Sequence, residues 1–217
     1  MTSSARLAAA LLAFGAPGVA HAQTLADPLA TGIYARVGFV LSSLDPGAMS
    51  FLPQRGPRDL TAPEPLSGKQ FGFGEMALAG FTAGIAFDAR WFYVRVGADI
   101  YEFPTIRGPL EETFRARFTT LAWVSAGPRV RLGPVVVNAG LRVGALLMNV
   151  TETGAMGREY SAVDGVYALD VGVQWRPLRW FGVDATVGQD FFTSTGATTF
   201  SVAASFGWSR GPTLTPR

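Results

Sequence analysis

The segment from Arg90 to Phe103, RWFYVRVGADIYEF, alternates apolar and polar side chains with a period of two. One register is apolar from Phe92 to Ile100, whereas the other contains Arg95 and Asp99. Because successive side chains of an extended chain point to opposite faces, this pattern predicts a β-strand with one apolar face. In a soluble sheet that face packs on a core, whereas in a membrane barrel it contacts lipid and the polar face lines the lumen.

The same alternation recurs along the chain and predicts eight strands, at residues 32–43, 71–87, 91–102, 114–132, 135–148, 163–175, 180–192 and 198–208. Three of the connections are tight turns, whereas the others are longer, above all the Pro-rich segment 44–70. Tight turns on one side and long loops on the other are typical of outer-membrane barrels, with the turns in the periplasm. An even number of strands places both ends of the barrel in the periplasm.

Aromatic residues cluster at both ends of the predicted strands. The tight-turn ends carry four tryptophans, Trp91, Trp175, Trp180 and Trp208, and the loop ends carry Phe103, Phe114, Tyr160, Phe191 and Phe192. Such girdles are expected at the two membrane interfaces. The alternative, a soluble sandwich with aromatic residues in its core, does not explain four tryptophans at one level.

The polar register is rich in Gly, Ser and Thr, with isolated Arg and Asp. Small side chains suit a narrow lumen, so the predicted fold class is all-β, an eight-stranded antiparallel up-and-down transmembrane barrel over residues 23–208.

Pro128 lies on the lipid-facing register of the fourth predicted strand, so we expect a β-bulge or an early end of regular pairing there. Glu75 shares that register and is expected beyond the apolar band.

The first residues predict a Sec signal peptide over residues 1–22, with Arg6, an apolar stretch from Leu7 to Val19, and cleavage before Gln23. An N-terminal membrane anchor is the alternative, but this stretch is too short to span a bilayer comfortably. Only 16% of the residues are charged, which is typical of a membrane protein. No uncharged apolar run after the first two dozen residues is long enough to form a membrane-spanning helix. Residues 209–217 are expected to form a short periplasmic tail, and no peptidoglycan-binding domain is expected after the barrel.

Catalytic chemistry finds little support in the composition. The chain has no Cys, and its single His, His21, lies in the predicted signal peptide. Ser–His hydrolysis and His or thiolate metal ligation are thereby excluded from the predicted mature chain, although an Asp-only or Ser–Lys mechanism is not. The net charge is only +2 and the Arg residues are dispersed, which argues against nucleic-acid binding. We predict no enzyme activity, no cofactor and no metal.

Charged residues on the polar register are predicted to form a structural ion-pair network that closes the lumen. Its members are Arg36, Arg95, Asp99, Arg129, Arg131, Arg142, Asp164, Asp170, Asp184 and Asp190. Counting from the tight turn places Asp170 opposite Asp184 and Asp164 opposite Asp190. Paired carboxylates can also perform acid–base chemistry, which is the alternative role.

The network is expected in two layers. In the lower layer Arg36, Arg95, Arg129 and Arg131 meet Asp170 and Asp184, and in the upper layer Arg142, Arg115 and Arg117 meet Asp99, Asp164 and Asp190. The loop 44–70 is expected to be disordered and solvated, the alternative being that its Arg55, Arg58 and Lys69 contact lipopolysaccharide phosphates.

The last predicted strand ends SVAASFGW, Ser201 to Trp208, with a polar residue, small residues and two alternating aromatic residues. This resembles the assembly signal of the small eight-stranded outer-membrane barrels of OmpA/OmpX type, including the opacity-like proteins, except that nine residues follow Trp208. The resemblance covers nearly all of the predicted mature chain.

The resemblance implies a monomer in a Gram-negative outer membrane, inserted by the barrel assembly machinery among outer-membrane lipids and lipopolysaccharide. It also implies a structural and surface-contact role. The alternative is a narrow passive transport barrel for small hydrophobic molecules or ions, as in OmpW-like barrels, and a lipid-modifying enzyme is a third possibility.

Overall fold

The computed structural model describes residues 30–55, 65–102, 106–107, 113–152, 159–191, 193 and 195–210, with the backbone alone for residues 55, 106–107, 113–114, 116–118 and 152. The described strands are β1 Thr31–Leu44, β2 Ser50–Arg55, β3 Leu66–Ser67, β4 Met76–Asp88, β5 Phe92–Glu102, β6 Ile106–Arg107, β7 Thr113–Leu132, β8 Val135–Glu152, β9 Glu159–Trp175, β10 Phe181–Asp190 and β11 Thr198–Arg210. The predicted signal peptide lies outside the described residues.

Eight strands form a closed antiparallel barrel in the order β1, β4, β5, β7, β8, β9, β10 and β11. Closure is made by the first and last of them, which pair from Thr31 with Arg210 to Ser43 with Thr198. The predicted fold class is therefore confirmed. We call the end with the three tight connections, after β4, β7 and β9, the turn end, and the opposite end the loop end.

The outer wall of the barrel is apolar. Large hydrophobic side chains are exposed on every barrel strand, among them Ile33, Phe81, Val96, Val124, Leu141, Val163, Val187 and Phe206. Trp91, Trp175, Trp180 and Trp208 are exposed on the same wall at the turn end. No helix in the described parts of the chain is long and apolar enough to cross a membrane. In the segment from Arg90 to Phe103, the apolar face is exposed on the outside of the barrel, and the charged face with Arg95 and Asp99 is buried inside it.

The structure tests two positions that the sequence analysis singled out, Pro128 and Glu75. The β7–β8 ladder skips Gly127 and Pro128 and then resumes in the same register, since Ala126 pairs with Leu141 and Arg129 with Asn138. The proline has no N–H to donate, so it interrupts pairing locally, and the predicted bulge or early end there is wrong. The register shift on β7 lies instead between residues 116 and 118. Glu75 is exposed before β4 begins and accepts a hydrogen bond from Ser43 Oγ at 3.1 Å.

Parts of the first long loop fold over the barrel mouth. We call residues 45–55 and 65–75 the cap. It contains two 3₁₀ turns, Pro46–Ala48 and Gly68–Phe71, and the short strands β2 and β3. The second predicted strand therefore begins at Met76 and not at residue 71.

The cap also continues the barrel sheet. Because β10 ends at Asp190, the first residues of β9 extend beyond it and expose a strand edge. β2 pairs with this edge, Leu52 with Ser161, and so covers it. Within its described residues the loop forms regular turns and strands, so the expected disordered loop is wrong there. Residues 56–64 lie outside the description.

Candidate functional site

The candidate site is the lumen, because the inward register brings its charged side chains into one narrow space. Ten of these side chains are at most 6% exposed, namely Asp190 near the loop end and nine others: Asp88, Asp99, Asp170, Asp184, Arg36, Arg95, Arg129, Arg142 and Arg176. The nine come from β1, β4, β5, β7, β8, β9 and β10 and from the turn after β9. From the turn end inward they form three layers.

The first layer lies at the turn end and is centred on Asp88. Its carboxylate accepts hydrogen bonds from Arg176 Nη2 and from Gln174 Nε2, the latter at 3.2 Å, and lies 3.8 Å from Arg129 Nη2. Arg129 also donates to Gln174 Oε1 at 2.8 Å and to the Ala89 carbonyl at 2.6 Å. Asp88 and Arg176 were missed from the sequence because both border tight turns and were assigned to them.

The second layer places one carboxylate between two guanidinium groups. Asp184 Oδ2 lies 3.4 Å from Arg36 Nε, and its Oδ1 lies 3.5 Å from Arg95 Nη2. Arg95 Nη1 also lies 3.5 Å from the side-chain oxygen of Asn138. The layer therefore depends on a single aspartate to neutralise two buried arginines.

In the third layer one guanidinium group lies between two carboxylates. Arg142 Nε donates to Asp170 Oδ2 at 3.0 Å, and Arg142 Nη1 lies 3.7 Å from Asp99 Oδ2. Asp170 also accepts from Ser125 Oγ at 2.9 Å, and Asp99 accepts from the Trp123 indole at 3.0 Å. Each carboxylate thus has both a cation and a neutral donor.

Each layer also contains an aromatic ring beneath a guanidinium group. The guanidinium carbons of Arg176, Arg95 and Arg142 lie 3.5, 4.6 and 4.7 Å from the ring centroids of Tyr34, Tyr93 and Trp123, respectively. Such stacking is favourable for arginine and fills the space between charges. Glycine makes room for it, since a Cβ at Gly97 would lie 2.8 Å from the Trp123 ring. The small residues of the polar register therefore accommodate large inward rings.

Three predicted network residues lie away from these layers. Arg131 is exposed at the turn end and donates to the Gly133 carbonyl at 3.0 Å, because it lies two residues beyond Arg129 on β7. Asp190 is buried near the loop end and accepts hydrogen bonds from the backbone N–H and hydroxyl of Thr193. Asp164 is half-buried on β9, where it pairs with the inward-facing Leu146 of β8. The expected place of Arg131 in the lower layer is wrong.

The expected two-layer grouping also differs from the structure. Asp184 pairs with Gln174 and Asp170 with Gly188, so the two carboxylates are not opposite each other, and Asp190 pairs with Ala168 rather than with Asp164. The turn after β9 is centred later than the sequence suggested, which displaces each partner by four residues. The paired-carboxylate arrangement needed for the acid–base alternative is therefore not formed by these pairs.

Two of the remaining candidate cations lie at the loop end. Arg115 and Lys69 are exposed. The side chains of Arg55, Arg117 and the predicted girdle residue Phe114, the whole of Arg58, and the predicted girdle residues Phe103 and Phe192 lie outside the description. Of the other girdle residues Phe191 is exposed, whereas Tyr160 points inward and is buried.

The loop-end part of the lumen is apolar, which the sequence analysis did not anticipate. Inward residues of the barrel pack there against Met49, Phe51, Phe71 and Phe73 of the cap, with Phe71 and Tyr160 ring centroids 4.9 Å apart. The barrel residues include Val40, Leu44, Leu78, Tyr101, Leu121, Leu146, Met148 and Val150. The sequence signal that could have predicted this apolar part of the lumen is the position of these residues on the otherwise polar, inward register.

The chemistry of the lumen is that of mutual neutralisation. Each aspartate of the three layers lies within 4 Å of a guanidinium group, which offsets the cost of removing both charges from water. In the part of the chain that the structure describes, no group of three or more His, Cys, Asp or Glu side chains is placed to hold a metal ion.

Comparison with known proteins finds similarity in fold alone. No protein-family model and no curated protein matches the sequence. Among solved structures, Ail, the attachment invasion locus protein of Yersinia pestis, in complex with the heparin analogue sucrose octasulfate, is 14% identical, with a TM-score of 0.50 over 82% of this chain and 99% of Ail. Neisserial surface protein A is 10% identical, with a TM-score of 0.51 over 82% and 97%. The chain therefore has the fold of the small eight-stranded outer-membrane barrels.

Proposed function

We propose that the chain is an integral, non-enzymatic protein of a bacterial outer membrane, in which a sealed barrel holds loop-end segments for contact at the cell surface. The observation that carries this proposal is that the distribution of apolar and charged side chains is the reverse of that in a soluble protein. Apolar side chains face outward on all eight barrel strands, whereas charged side chains are buried inside.

Lipid is the solvent that this outer wall fits. Monomeric soluble proteins rarely expose apolar patches larger than a few hundred Å², and here the exposed apolar wall runs around the whole barrel. The four tryptophans at the turn end stand where a membrane interface would lie. Both features support insertion in the membrane as a single barrel, with the assembly machinery as the expected partner during insertion.

Closure of the lumen is supported by two sets of side chains that fill it one after the other along the barrel axis. From the turn end, three layers of ion pairs and aromatic rings occupy the lumen, and the apolar cluster under the cap follows. An eight-stranded barrel has an interior only wide enough for side chains, so these fillings oppose an open pore. This arrangement favours a structural barrel over the passive transport alternative.

Surface contact is supported by the loop end and by the fold. Lys69 and Arg115 are exposed there and supply cations for lipopolysaccharide phosphates. Ail is described as an attachment invasion locus protein and the neisserial protein as a surface protein. The proposal extends contact of this general kind to the present chain, with the cap as the supporting platform.

The closed lumen predicts little ion flow. The purified barrel, reconstituted in a planar bilayer, is expected to show no wide, steady open level, because three buried ion-pair layers and the cap lie in the path. Single-channel recording tests this, with protein-free bilayers and a wide-pored porin as references. A reproducible wide open level would favour the transport function.

Export by a Sec signal peptide predicts the mature N-terminus. The protein isolated from outer membranes is expected to begin at Gln23, which intact-mass measurement and N-terminal sequencing will show. Replacing Ala20 and Ala22 with Leu removes the small residues that the peptidase requires, so the uncleaved precursor should accumulate. A mature protein that retains residues 1–22 in the outer membrane would contradict this assignment.

A further inference from the structure

A shallow groove of about 380 Å³ lies on the outer wall at the turn end, where β11, β1 and β4 meet. It is lined by Thr31, Gly32, Ile33, Phe87, Trp208 and Arg210. The strand register brings these residues together, since Ile33 pairs with both Trp208 and Phe87, and Thr31 pairs with Arg210. Its volume lies within the roughly 300–1,000 Å³ range of small-molecule sites.

The groove combines an apolar wall with one cation. Ile33, Phe87 and Trp208 expose their side chains on the outer wall, and Arg210 is exposed beside them. The Arg210 guanidinium carbon lies 5.9 Å from the Trp208 ring centroid, at the level of the tryptophan girdle. A ligand that matches this arrangement has an apolar chain and an anionic group at the interface.

The charge of the turn end selects for anions. Its exposed charged side chains, in the described part of the chain, are all arginines: Arg90, Arg131, Arg179 and Arg210. Asp88, the carboxylate that the described residues place at this end, is fully buried in the first lumen layer. Among the residues that the structure describes, no exposed carboxylate at this end competes with a lipid phosphate for Arg210.

We propose that the groove binds an anionic phospholipid of the periplasmic leaflet. One acyl chain lies against Ile33, Phe87 and Trp208, and the headgroup phosphate binds the Arg210 guanidinium group. The inference rests on the proposed membrane insertion. It adds to that function a defined lipid site at the seam where the first and last strands close the barrel.

Tryptophan fluorescence can measure lipid contact at this groove directly. Replacing Trp91, Trp175 and Trp180 with Phe leaves Trp208 as the only outward tryptophan, with Trp123 buried in the lumen. The mature protein is inserted into phosphatidylcholine vesicles that contain phosphatidylglycerol, with bromine on the acyl chains of one lipid at a time. Quenching then gives the association of each lipid with Trp208 relative to the other.

Phosphatidylglycerol is expected to associate with Trp208 about five-fold more strongly than phosphatidylcholine, the contribution of one arginine near an anionic surface. In this background Arg210→Gln should abolish the preference, and the matched rim variant Arg131→Gln should preserve it. Thr31→Phe fills the groove and should reduce quenching by both lipids. Heat-dependent gel mobility verifies that each variant is folded.

Several results would overturn the lipid site. The preference could persist in Arg210→Gln, or Arg131→Gln could lower it equally, which would indicate diffuse rim charge. Quenching that falls as the protein-to-lipid ratio rises, whatever the lipid, would instead show a second copy of the chain in the groove. Protein that inserts without any lipid preference refutes the site alone, whereas protein that fails to float with the vesicles refutes membrane insertion as well.

Discussion

The double variant Asp170→Asn, Asp184→Asn is expected to unfold at a lower temperature than the wild type and to leak ions. Asp184 lies between Arg36 and Arg95, and Asp170 accepts from Arg142. Removing one partner of a buried ion pair costs about 3–5 kcal/mol, because the other charge stays buried without its counterion. Water drawn in to solvate the arginines would open a path for ions through two of the three layers.

The structure also orders the two single variants. Asp184→Asn leaves two guanidinium groups without their carboxylate, whereas after Asp170→Asn Arg142 still has Asp99 at 3.7 Å. The loss of thermal stability should therefore be larger for Asp184→Asn. The control is Glu75→Gln, which removes a carboxylate that is exposed outside the barrel strands. Thermal denaturation and planar-bilayer conductance are the measurements, and wild-type values for the double variant would show that the ion pairs do not seal the lumen.

Removing the aromatic rings of the cap is expected to open the loop end without unfolding the barrel. Phe51 is fully buried, with ring centroids 5.2 Å from Phe71 and 5.4 Å from Phe73. Truncating a buried Phe to Ala costs about 3–5 kcal/mol. Phe51→Ala, Phe71→Ala removes two such rings from a segment that pairs with only a few residues of β9, so the loss falls mainly on the docking of the cap.

Limited proteolysis of the folded protein measures this effect. Cleavage between residues 45 and 75 should become at least ten-fold faster, while the barrel strands stay protected. Leu52→Ala is the matched control, because Leu52 lies next to Phe51 on β2 but its side chain is half-exposed. If the double variant is cleaved no faster than the control, the rings do not hold the cap on the barrel mouth.

These two double variants separate the contributions of the two proposed seals. The ion-pair layers occupy the turn-end part of the lumen, and the apolar cluster with the cap occupies the loop end. Opening the cap alone should leave conductance low, because the layers below it remain. Comparing leakage in the two double variants therefore identifies which seal limits ion flow.

Much of the barrel could be predicted from residue patterns. Strands β1, β5 and β7 lie within one residue of their predicted ends, because turn residues and the alternation mark them locally. The largest differences are at the loop end, where β4 begins five residues later than predicted and β8 and β9 extend four residues further. There the lumen register becomes apolar, so the two faces look alike and alternation no longer marks the strand.

The sequence by itself determined which side chains face outward and which face inward, since a period of two assigns each residue to a face irrespective of its partners. Only the tertiary structure decided which inward charges meet, because contacts across a lumen depend on register and stagger between strands distant in sequence. Arg129 consequently pairs with Asp88, 41 positions away, and not with the predicted Asp170 or Asp184. The cap was decided in the same way, since Phe71 becomes buried only where the closed barrel brings Tyr160 beside it.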